Sequence, residues 1–567
     1  MNYLDKYQQW LDSDFIDAET KSELLAIKDN DAEIKDRFYR DLEFGTAGLR
    51  GKMGAGLNRM NKYVISRVAQ ALANVIINHG SEAKEKGVAI SYDVRYGSSD
   101  YAKITAGVLA AHQIKSYIYS EMMPTPMLSF AIRYHQAISG VMVTASHNPQ
   151  VYNGYKVYWQ EGSQILDDIA DQIASEIDKI EFSDVKMLTF DQALNSGYAN
   201  YISNDCIEAY YNLVLGLSIH DDIDKEINIS YSPLNGTGNK PVRHILKQRG
   251  FKNVFVVPEQ EQPDPKFSTA TYPNPEFEHV FEYSKKNGLK NNCDILIASD
   301  PDCDRLALCV RDKDGNYQFV NGNKIGALLV HYIFSNRYQL HTLPKNAALI
   351  KSIVTGDLSK AIASKYGVTT IETLTGFKNI CGKANEFDIT KEYTYILGYE
   401  ESIGYCYGTF VRDKDGVSAA MMICEMAAYY KKQGLSLLDV LNNLYAEFGY
   451  YNERQYSFEL EGIQGQKQIQ AIVENYRQQP LKQIDNLELV EVIDYLDGIN
   501  DLPKQNCLKY IYNDGSWFSL RPSGTEPKLK VYLYSIGSDY ADSVNKLDLM
   551  EKMSKEKINT FLESWSE

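Results

Sequence analysis

The sequence has few of the features that mark redox, zinc-ribbon or membrane proteins. Its eight cysteines are widely spaced and no CxxC pair occurs, which excludes zinc ribbons and thioredoxin-like redox sites. Single cysteines scattered in apolar strands are typical of buried thiols in a reducing compartment. No apolar stretch approaches the roughly 18 residues that a membrane-spanning helix needs. The sequence starts without a basic segment followed by an apolar run, so we expect no signal peptide and a cytoplasmic location.

The chain also lacks an excess of positive charge. Its 59 lysines and arginines stand against 75 acidic residues, which gives a net charge of −16. An acidic surface argues against nucleic acid or an anionic membrane as a partner, although a local basic pocket for a small anion remains compatible with it. The 567 residues are 44% hydrophobic and 24% charged, which is ordinary for a globular chain of several domains.

Short apolar strands that lead directly into polar loops recur through the first three quarters of the chain. They lie at residues 88–95, 138–149, 227–238, 293–305, 347–357 and 393–404, two in each of three successive blocks, with helical patterns between them. This alternation indicates α/β layers with largely parallel strands. Because ligand groups in such sheets collect at the carboxyl ends of the strands, we expect three similar α/β domains that face one site.

The last quarter of the chain has a different pattern. Helical and strand patterns mix at 463–489, a strand, a loop and a second strand follow at 517–534, and a helical pattern covers about 538–562. These elements predict a smaller α+β domain built around one polar loop. We therefore place four domains at residues 1–205, 206–321, 322–450 and 451–567.

Three aspartates stand at every second position in the segment Asp300-Pro-Asp302-Cys-Asp304-Arg305. In an extended segment such residues project on one face, and converging carboxylates suit a hard divalent cation, Mg²⁺ above all. A calcium loop of the EF-hand type is excluded because its sixth position needs glycine, where this segment has Arg305. The alternative is a solvated acidic turn.

A hydroxyl group stands beside an imidazole at the end of another apolar strand, in Thr-Ala-Ser146-His147-Asn-Pro. This pattern suits a nucleophile, but the G-x-S-x-G elbow of serine hydrolases is lacking. A turn-capping role is the alternative. Lys156, a little further along the chain, favours the chemical interpretation because an ammonium group can neutralise an anion or move a proton.

Two more loops carry groups that suit a ligand. The segment 521–528, Arg-Pro-Ser-Gly-Thr-Glu-Pro-Lys, combines cations and hydroxyls with a glycine that lets the backbone approach an anion closely. It is either a phosphate-binding loop or a hairpin loop with incidental charges. The segment 398–404, Gly-Tyr-Glu-Glu-Ser-Ile-Gly, offers carboxylates and a hydroxyl to a sugar, with acid catalysis or a plain surface turn as alternatives. Together the four loops describe phosphoryl transfer on a sugar phosphate.

In these four segments the sequence resembles the α-D-phosphohexomutase superfamily. Its length, the FGTAGLRG segment at 44–51 and the Glu-Glu-Ser loop resemble the long phosphoglucomutase/phosphopentomutase branch of that family. The resemblance covers essentially the whole chain. It implies three similar α/β domains plus a C-terminal α+β domain around a central cleft. In chain order these domains carry the phosphoserine loop, the metal-binding loop, the sugar-binding loop and the phosphate-binding loop.

The resemblance also implies a role for each matching residue. Ser146 carries a phosphoryl group, and the metal ligands are Ser146, Asp300, Asp302 and Asp304. The other catalytic residues are Arg50, His147, Lys156 and Arg305, with Lys156 or His147 as the proton carrier. The substrate-binding residues are Glu400, Ser402, Arg521, Ser523, Gly524, Thr525 and Lys528, together with the looser matches Lys351 and Lys378.

The implied activity is the interconversion of α-D-glucose 1-phosphate and glucose 6-phosphate through a phosphoserine enzyme. Mg²⁺ is the implied cofactor, and glucose 1,6-bisphosphate is the implied intermediate and activator. Phosphopentomutase and phosphomannomutase are alternatives within the family, and a non-catalytic sugar-phosphate-binding protein is the alternative of another class. We expect small-molecule sugar phosphates as partners, and neither nucleic acid nor membrane. The sequence leaves the oligomeric state open between a monomer and a weak dimer.

Overall fold

The structure is a computed structural model that describes residues 2–499, 502–523 and 527–565. The chain divides into two compact units, each made of two stretches of chain. The first unit is Met1–Ile325 with Cys381–Ser436, and the second is Gly326–Ile380 with Leu437–Glu567. The four domain boundaries drawn from the sequence stay a prediction.

Helices and strands alternate through most of the described chain, which is the α/β pattern expected from the sequence. The α-helices are α1 (Tyr3–Asp12), α2 (Ala18–Ala26), α3 (Asp31–Phe38), α4 (Lys62–Asn78), α5 (Ser81–Lys86), α6 (Ser98–Ala111), α7 (Thr125–His135), α8 (Asp167–Ile177), α9 (Phe190–Asn195), α10 (Asn204–Leu215), α11 (Asn239–Gln248), α12 (Pro258–Glu261), α13 (Glu282–Lys290), α14 (Gly322–Gln339), α15 (Leu358–Lys365), α16 (Phe377–Thr390), α17 (Gly416–Lys432), α18 (Leu437–Phe448), α19 (Gly462–Gln478) and α20 (Tyr540–Ser564). Short 3₁₀ helices lie at Phe182–Asp184 and Glu278–Phe281. Among the described residues, every helix is either too short or too polar to span a bilayer.

The strands alternate with these helices along the chain. They are β1 (Leu49–Lys52), β2 (Val88–Tyr92), β3 (Ser116–Ile118), β4 (Ser139–Val143), β5 (Tyr152–Trp159), β6 (Ala199–Tyr201), β7 (Asn228–Ser232), β8 (Asn253–Val256), β9 (Ile295–Ser299), β10 (Leu306–Arg311), β11 (Tyr317–Val320), β12 (Ala347–Ser352), β13 (Thr369–Thr373), β14 (Thr394–Glu400), β15 (Gly404–Tyr407), β16 (Tyr450–Glu459), β17 (Gln483–Ile484), β18 (Leu487–Asp494), β19 (Leu508–Tyr512), β20 (Trp517–Pro522) and β21 (Lys528–Gly537).

Two mixed sheets form most of the first unit. The first sheet has the strand order β1-β5-β4-β2-β3-β6 and the second has the order β11-β10-β9-β7-β8. Strands β4 and β9 lie inside these sheets and are buried along their whole length, as expected for strands covered on both faces. Polar loops follow both strands, so these two sheets position the serine and aspartate segments.

The predicted largely parallel pairing is only partly correct. Pairs β2–β4 and β7–β9 are parallel, but β4–β5 and β9–β10 are antiparallel. The physical reason is the length of the connections, because residues 144–151 and 300–305 are too few for a crossover, which needs about a dozen or more. The serine and aspartate segments are therefore hairpin connections. Strands β14 and β15, which flank the 398–404 segment, also pair antiparallel.

The second unit combines a parallel pair, β12–β13, with an antiparallel six-stranded sheet in the order β16-β21-β20-β19-β18-β17. A buried cluster that includes Ile353, Leu374, Trp517 and Tyr534 packs the end of β12 and the end of β13 against this sheet. Helix α20 lies on the sheet and buries Leu547 and other apolar residues.

Helix α4 shows how the local sequence fixes the ends of an element. Asn61 caps it by accepting hydrogen bonds from the N–H groups of Tyr63 and Val64, and the same side chain donates to the carbonyl of Gly56 at 2.8 Å. The helix lies at Lys62–Asn78. It packs in the core of the first sheet, while α1 and α3 form a small separate core around Trp10 and Phe38.

Candidate active site

Ser146 lies just beyond the end of β4, in a strained turn. Its φ angle is 49°, in the left-handed region that few residues other than glycine adopt. Its N–H donates to Thr144 Oγ1 at 2.8 Å, and the residue is only 3% exposed. Such strain persists only where surrounding contacts fix the backbone, and it concentrates at functional sites.

The Ser146 hydroxyl meets the aspartate segment directly. Its Oγ donates to Asp300 Oδ2 at 2.7 Å and lies 3.1 Å from His147 Nδ1. Burial lowers the pKa of His147 well below its ordinary value, and the charges of Arg305 and Arg50 lower it further. A neutral imidazole therefore stands beside the hydroxyl, as a nucleophile needs.

Asp300, Asp302 and Asp304 converge as predicted, but through a turn rather than an extended segment. Cys303 has a φ of 52°, and its N–H donates to the carbonyl of Asp300 at 2.9 Å. The turn brings one carboxylate oxygen of each aspartate to within 4.8 Å of the others, and all three residues are buried. The N–H groups of Asp304 and Arg305 donate to Asp300 Oδ1 at 3.1 and 3.0 Å and fix this turn.

Two carboxylate oxygens of the aspartate cluster are free to bind a cation. Within residues 2–499, 502–523 and 527–565, Asp302 Oδ1 and Asp304 Oδ1 are buried without a hydrogen-bond partner. Burial, together with the charges of Asp302 and Asp304, raises the pKa of Asp300 well above its ordinary value. Buried carboxylate oxygens without a hydrogen bond are costly, and oxygen ligands at this spacing suit Mg²⁺. The residues present therefore fit a divalent cation.

Two lysines partly offset the charge of the aspartates. Lys156 Nζ lies 2.8 Å from Asp302 Oδ2 and 3.5 Å from Asp304 Oδ2, and Lys414 Nζ lies 3.0 Å from Asp304 Oδ2. Burial alone would lower the pKa values of both lysines, but the neighbouring carboxylates raise them above the ordinary value. Both ammonium groups are thus held in the charged form beside the site.

Sequence reasoning missed Lys414, Glu276 and Thr125. Thr125 Oγ1 donates to Asp302 Oδ2 at 2.9 Å, and Glu276 Oε2 accepts from Arg305 at 2.9 Å. The Asp413-Lys-Asp-Gly segment, between β15 and α17, was a signal for Lys414, because charged residues just after a buried strand resemble the other loops. Thr125 and Glu276 have no comparable signal, since only the tertiary fold brings them to the aspartates.

The predicted sugar-binding segment lies against the aspartate segment within the first unit. The carbonyl of Ser402 accepts from Arg305 at 3.4 Å, and the carbonyl of Ile403 accepts from the N–H of Leu306 at 3.0 Å. Glu400, the last residue of β14, is 8% exposed, and its charge helps to raise the pKa values of Arg305 and Lys414. Glu400 is therefore within electrostatic reach of the site.

Arg50, the second residue of β1, also lies at this site. Its side chain is exposed and donates to Asn148 Oδ1 at 3.3 Å. The structure thus brings Arg50, His147, Lys156 and Arg305 around Ser146 and the three aspartates, while the roles assigned to them from the sequence stay predictions.

Lys351 lies in the second unit and is fully buried. Its ammonium group donates to the carbonyl of Thr355 at 2.8 Å and pairs with Asp357 and Glu372, each at 2.9 Å. The same Asp357 accepts from Trp517 Nε1 at 2.8 Å. These contacts place Lys351 in a buried ion-pair cluster, and its contact with substrate stays a prediction.

The other predicted substrate residues of the second unit lie in the 521–528 segment or in α16. Lys378 is half-buried near the start of α16, and the guanidinium of Arg521 contacts Thr375. Lys528 pairs with Glu459 at 2.6 Å, and the N–H of Ser523 donates to the carbonyl of Lys528 at 2.8 Å. Gly524 and Thr525 lie outside the described residues.

Four family models match the chain in succession. They describe phosphoglucomutase/phosphomannomutase α/β/α domain I at residues 41–184, domain II at 208–315, domain III at 321–448 and the C-terminal domain at 464–541. The matches confirm the predicted fold class of three α/β domains followed by a C-terminal domain that mixes helices and strands.

Curated relatives match over nearly their full length. A phosphoglucomutase of Staphylococcus epidermidis is 35% identical over 557 residues, which cover 96% of this chain and 97% of that protein. A phosphoglucomutase of Staphylococcus aureus is 34% identical, with 92% and 94% of the two chains covered.

Solved structures show the same fold. The open form of parafusin, a phosphoglucomutase of Paramecium, matches with a TM-score of 0.70 at 20% identity, over 92% of this chain and 96% of that one. A phosphoglucomutase/phosphomannomutase family protein of Burkholderia thailandensis matches with a TM-score of 0.67 at 18% identity, over 91% and 97% of the two chains.

Proposed function

The chain belongs to the phosphoglucomutase/phosphomannomutase family, and from this premise we propose that it is a phosphoglucomutase. It is an enzyme that moves a phosphoryl group between two positions of a sugar and so interconverts α-D-glucose 1-phosphate and glucose 6-phosphate. One observation carries this proposal most directly: the Ser146 hydroxyl lies 2.7 Å from Asp300, in a cluster with two unpartnered carboxylate oxygens among the described residues.

Asp300, Asp302 and Asp304 would hold Mg²⁺, with an oxygen on Ser146 as a further ligand. When bound, the cation offsets negative charge on the phosphoryl group in transit. The Oδ1 atoms of Asp302 and Asp304, which have no hydrogen-bond partner in the described part of the chain, support this assignment. The hard oxygen ligands favour Mg²⁺ over softer metals.

Ser146 carries the phosphoryl group in the resting enzyme and gives it to the free hydroxyl of the sugar phosphate. The P–O bond to Ser146 breaks as the bond to the sugar oxygen forms, which yields glucose 1,6-bisphosphate. The other phosphoryl group of the bisphosphate then returns to Ser146 and releases the product. Lys156, Lys414 and Arg305 stabilise the charge that spreads over the transferring group, since all three are cations at the site.

The proton of the attacking hydroxyl must leave as the new bond forms. The neutral imidazole of His147, 3.1 Å from Ser146 Oγ, can accept this proton, and the charged ammonium group of Lys156 can donate a proton to the oxygen that leaves. In the return step the Ser146 hydroxyl attacks the bisphosphate. The imidazole accepts the proton of this hydroxyl, and the charged ammonium group of Lys156 donates a proton toward the departing sugar oxygen. Arg50, on the exposed side of the serine segment, attracts the negatively charged substrate.

Glu400 and Ser402 bind the sugar hydroxyls, and Arg521, Ser523, Gly524, Thr525 and Lys528 bind the phosphate that is not reacting. Lys378 and Lys351 are further candidates for substrate contact. Phosphopentomutase and phosphomannomutase remain alternatives for the same site, because a carboxylate and a hydroxyl accept several sugars. All eight cysteines are free and buried, which supports a cytoplasmic location.

A substrate panel tests the proposal. Hexose and pentose 1-phosphates are compared by kcat/KM with Mg²⁺ and the matching bisphosphate present, and glucose 1-phosphate is expected to give the highest value. Ser146→Ala should abolish turnover. Ser139→Ala removes a fully buried hydroxyl from the adjoining strand, where it donates to Tyr158, and serves as the matched control. Turnover of no sugar phosphate, with binding retained, would instead indicate the non-catalytic binding protein.

A further inference from the structure

The end of β2 carries a buried Asp93–Arg95 pair that the proposed reaction leaves without a role. Asp93 is 2% exposed and Arg95 is 3% exposed, although charged side chains are rarely buried so fully. Arg95 Nε donates to Asp93 Oδ2 at 3.1 Å. The pair contacts the backbone of the serine segment, whereas the hydroxyl of Ser146 donates to Asp300.

Arg95 binds the backbone of the serine segment at four carbonyl groups. Its Nη2 donates to the carbonyls of Ser146 and Asn148, both at 2.5 Å. Its Nη1 donates to the carbonyls of Pro149 and Tyr152, both at 3.0 Å. A planar guanidinium can make this set of contacts, whereas a lysine cannot, because its donors radiate from one nitrogen.

Asp93 links the same pair to the strained turn itself. Its Oδ2 accepts from Thr144 Oγ1 at 2.6 Å, and Thr144 Oγ1 in turn accepts from the N–H of Ser146 at 2.8 Å. Ser98 Oγ donates to the other oxygen, Oδ1, at 2.7 Å. Phe267 covers the guanidinium of Arg95, with its ring centroid 4.9 Å away. Asp93 and Arg95, which bind the serine segment, are therefore each held in place by further contacts of their own.

We infer that Arg95 is a positioning residue that holds Ser146 in its left-handed conformation, and that Asp93 orients Arg95. The inference rests on the proposed function of Ser146 as the phosphoryl carrier. Without Arg95, the buried carbonyl of Ser146 and three partly buried carbonyls each lose one donor, and the turn at Ser146 relaxes to a common backbone conformation. The Ser146 oxygen then leaves its place beside Asp300, while the groups that bind the sugar and its distal phosphate keep theirs.

The expected signature is a loss in kcat without a matching loss in binding. A misplacement of about 1 Å at a reacting atom typically costs on the order of 100-fold in rate. Arg95→Ala should therefore lower kcat by about 100-fold and leave KM for glucose 1-phosphate within about threefold, the pattern of a lost transition-state interaction. Added guanidinium ion, below denaturing concentrations, should restore part of kcat by filling the vacated cavity. Arg95→Lys should stay impaired.

Arg249→Ala is the matched control. Arg249 is also buried, pairs with Glu425 at 3.0 Å and donates to a backbone carbonyl, but it does not contact the serine segment. It should lose stability, keep kcat, and show no response to guanidinium. If kcat of Arg95→Ala stays within about threefold of this control, or if guanidinium gives no recovery, the inference is wrong.

A second readout separates this inference from the proposed function. Hydrogen exchange of the amides at 146–152 should speed up in Arg95→Ala relative to wild type and to Arg249→Ala, whatever the protein catalyses. Unchanged exchange there contradicts the inference. A wild-type enzyme without mutase turnover would contradict the proposed function instead. If Arg95→Ala does not fold, Asp93→Asn and Arg95→Lys carry the same test, and normal kcat in both would overturn the inference.

Discussion

Replacing Lys351 with methionine decides whether this residue is structural or binds substrate. The change keeps an unbranched side chain in a fully buried position but removes the cation between Asp357 and Glu372. Breaking a buried ion pair by removing one partner costs about 3–5 kcal/mol, because the other charge stays buried and uncompensated. The two carboxylates are 24% and 29% exposed, so water relieves part of this cost and we expect the lower end, about 3 kcal/mol.

The assay is differential scanning calorimetry of the full chain. A loss of about 3 kcal/mol lowers the midpoint of a transition of a 150–250-residue unit by roughly 6–12 °C. Lys360→Met, which removes an exposed lysine from α15 in the same unit, is the control and should shift the midpoint by less than about 2 °C. A raised KM for glucose 1-phosphate with unchanged thermal stability would refute the reasoning and return Lys351 to the substrate site.

Three further predictions concern the ion pairs of Lys351, the carboxylate of Glu400 and the metal at the aspartate cluster. Burial would raise the pKa of Asp357 and of Glu372, but Lys351 and its neighbours lower both. A lowered pKa gives stability that is present above the unfolded pKa and lost as pH falls below it, so the midpoint difference between wild type and Lys351→Met should narrow as pH falls from about 5 to about 3, and a constant difference would contradict this. With Glu400 in its proposed role as an acceptor of sugar hydroxyls, Glu400→Gln should lower kcat/KM by roughly 10- to 150-fold, a loss of about 1.5–3 kcal/mol, and should spare the phosphorylation of Ser146 by a small phosphate donor. Equal effects on both, or an equal loss in the neighbouring Glu401→Gln, would remove Glu400 from the sugar site. Chelation with EDTA should abolish turnover and Mg²⁺ should restore it, with Zn²⁺ a poor substitute; full activity in excess chelator would contradict the metal assignment.

The serine and aspartate segments were predictable because both follow fully buried strands. An apolar run that ends in hydroxyl or carboxylate groups places them at a sheet edge, and the structure brings Ser146 and Asp300 within 2.7 Å of each other. The direction of strand pairing was also within reach of the sequence, since the loops at 144–151 and 300–305 are too short for crossovers. The turn that brings the three aspartates together was not, because it depends on the left-handed conformation of Cys303.

Other parts of the site could not be read from the sequence. Thr125 begins an ordinary amphipathic helix, and Glu276 lies in an irregular loop, so neither has a local pattern that indicates contact with an aspartate or arginine far along the chain. Lys351 shows the opposite difficulty. A lysine near the end of a buried strand looks like a ligand group, but only the fold reveals that Asp357 and Glu372 occupy its ammonium group.

The central claim is that Ser146 carries the phosphoryl group, and phosphate transfer measured by mass tests it most directly. Protein freed of phosphate is mixed with glucose 1,6-bisphosphate and Mg²⁺, and intact-mass measurement with peptide mapping follows the phosphate on the protein through one turnover. The account predicts one phosphate on Ser146, formed at a rate at least equal to kcat and passed on to added glucose 1-phosphate, and none on Ser146→Ala. Turnover without phosphate on Ser146, or near-normal activity of Ser146→Ala, would contradict it.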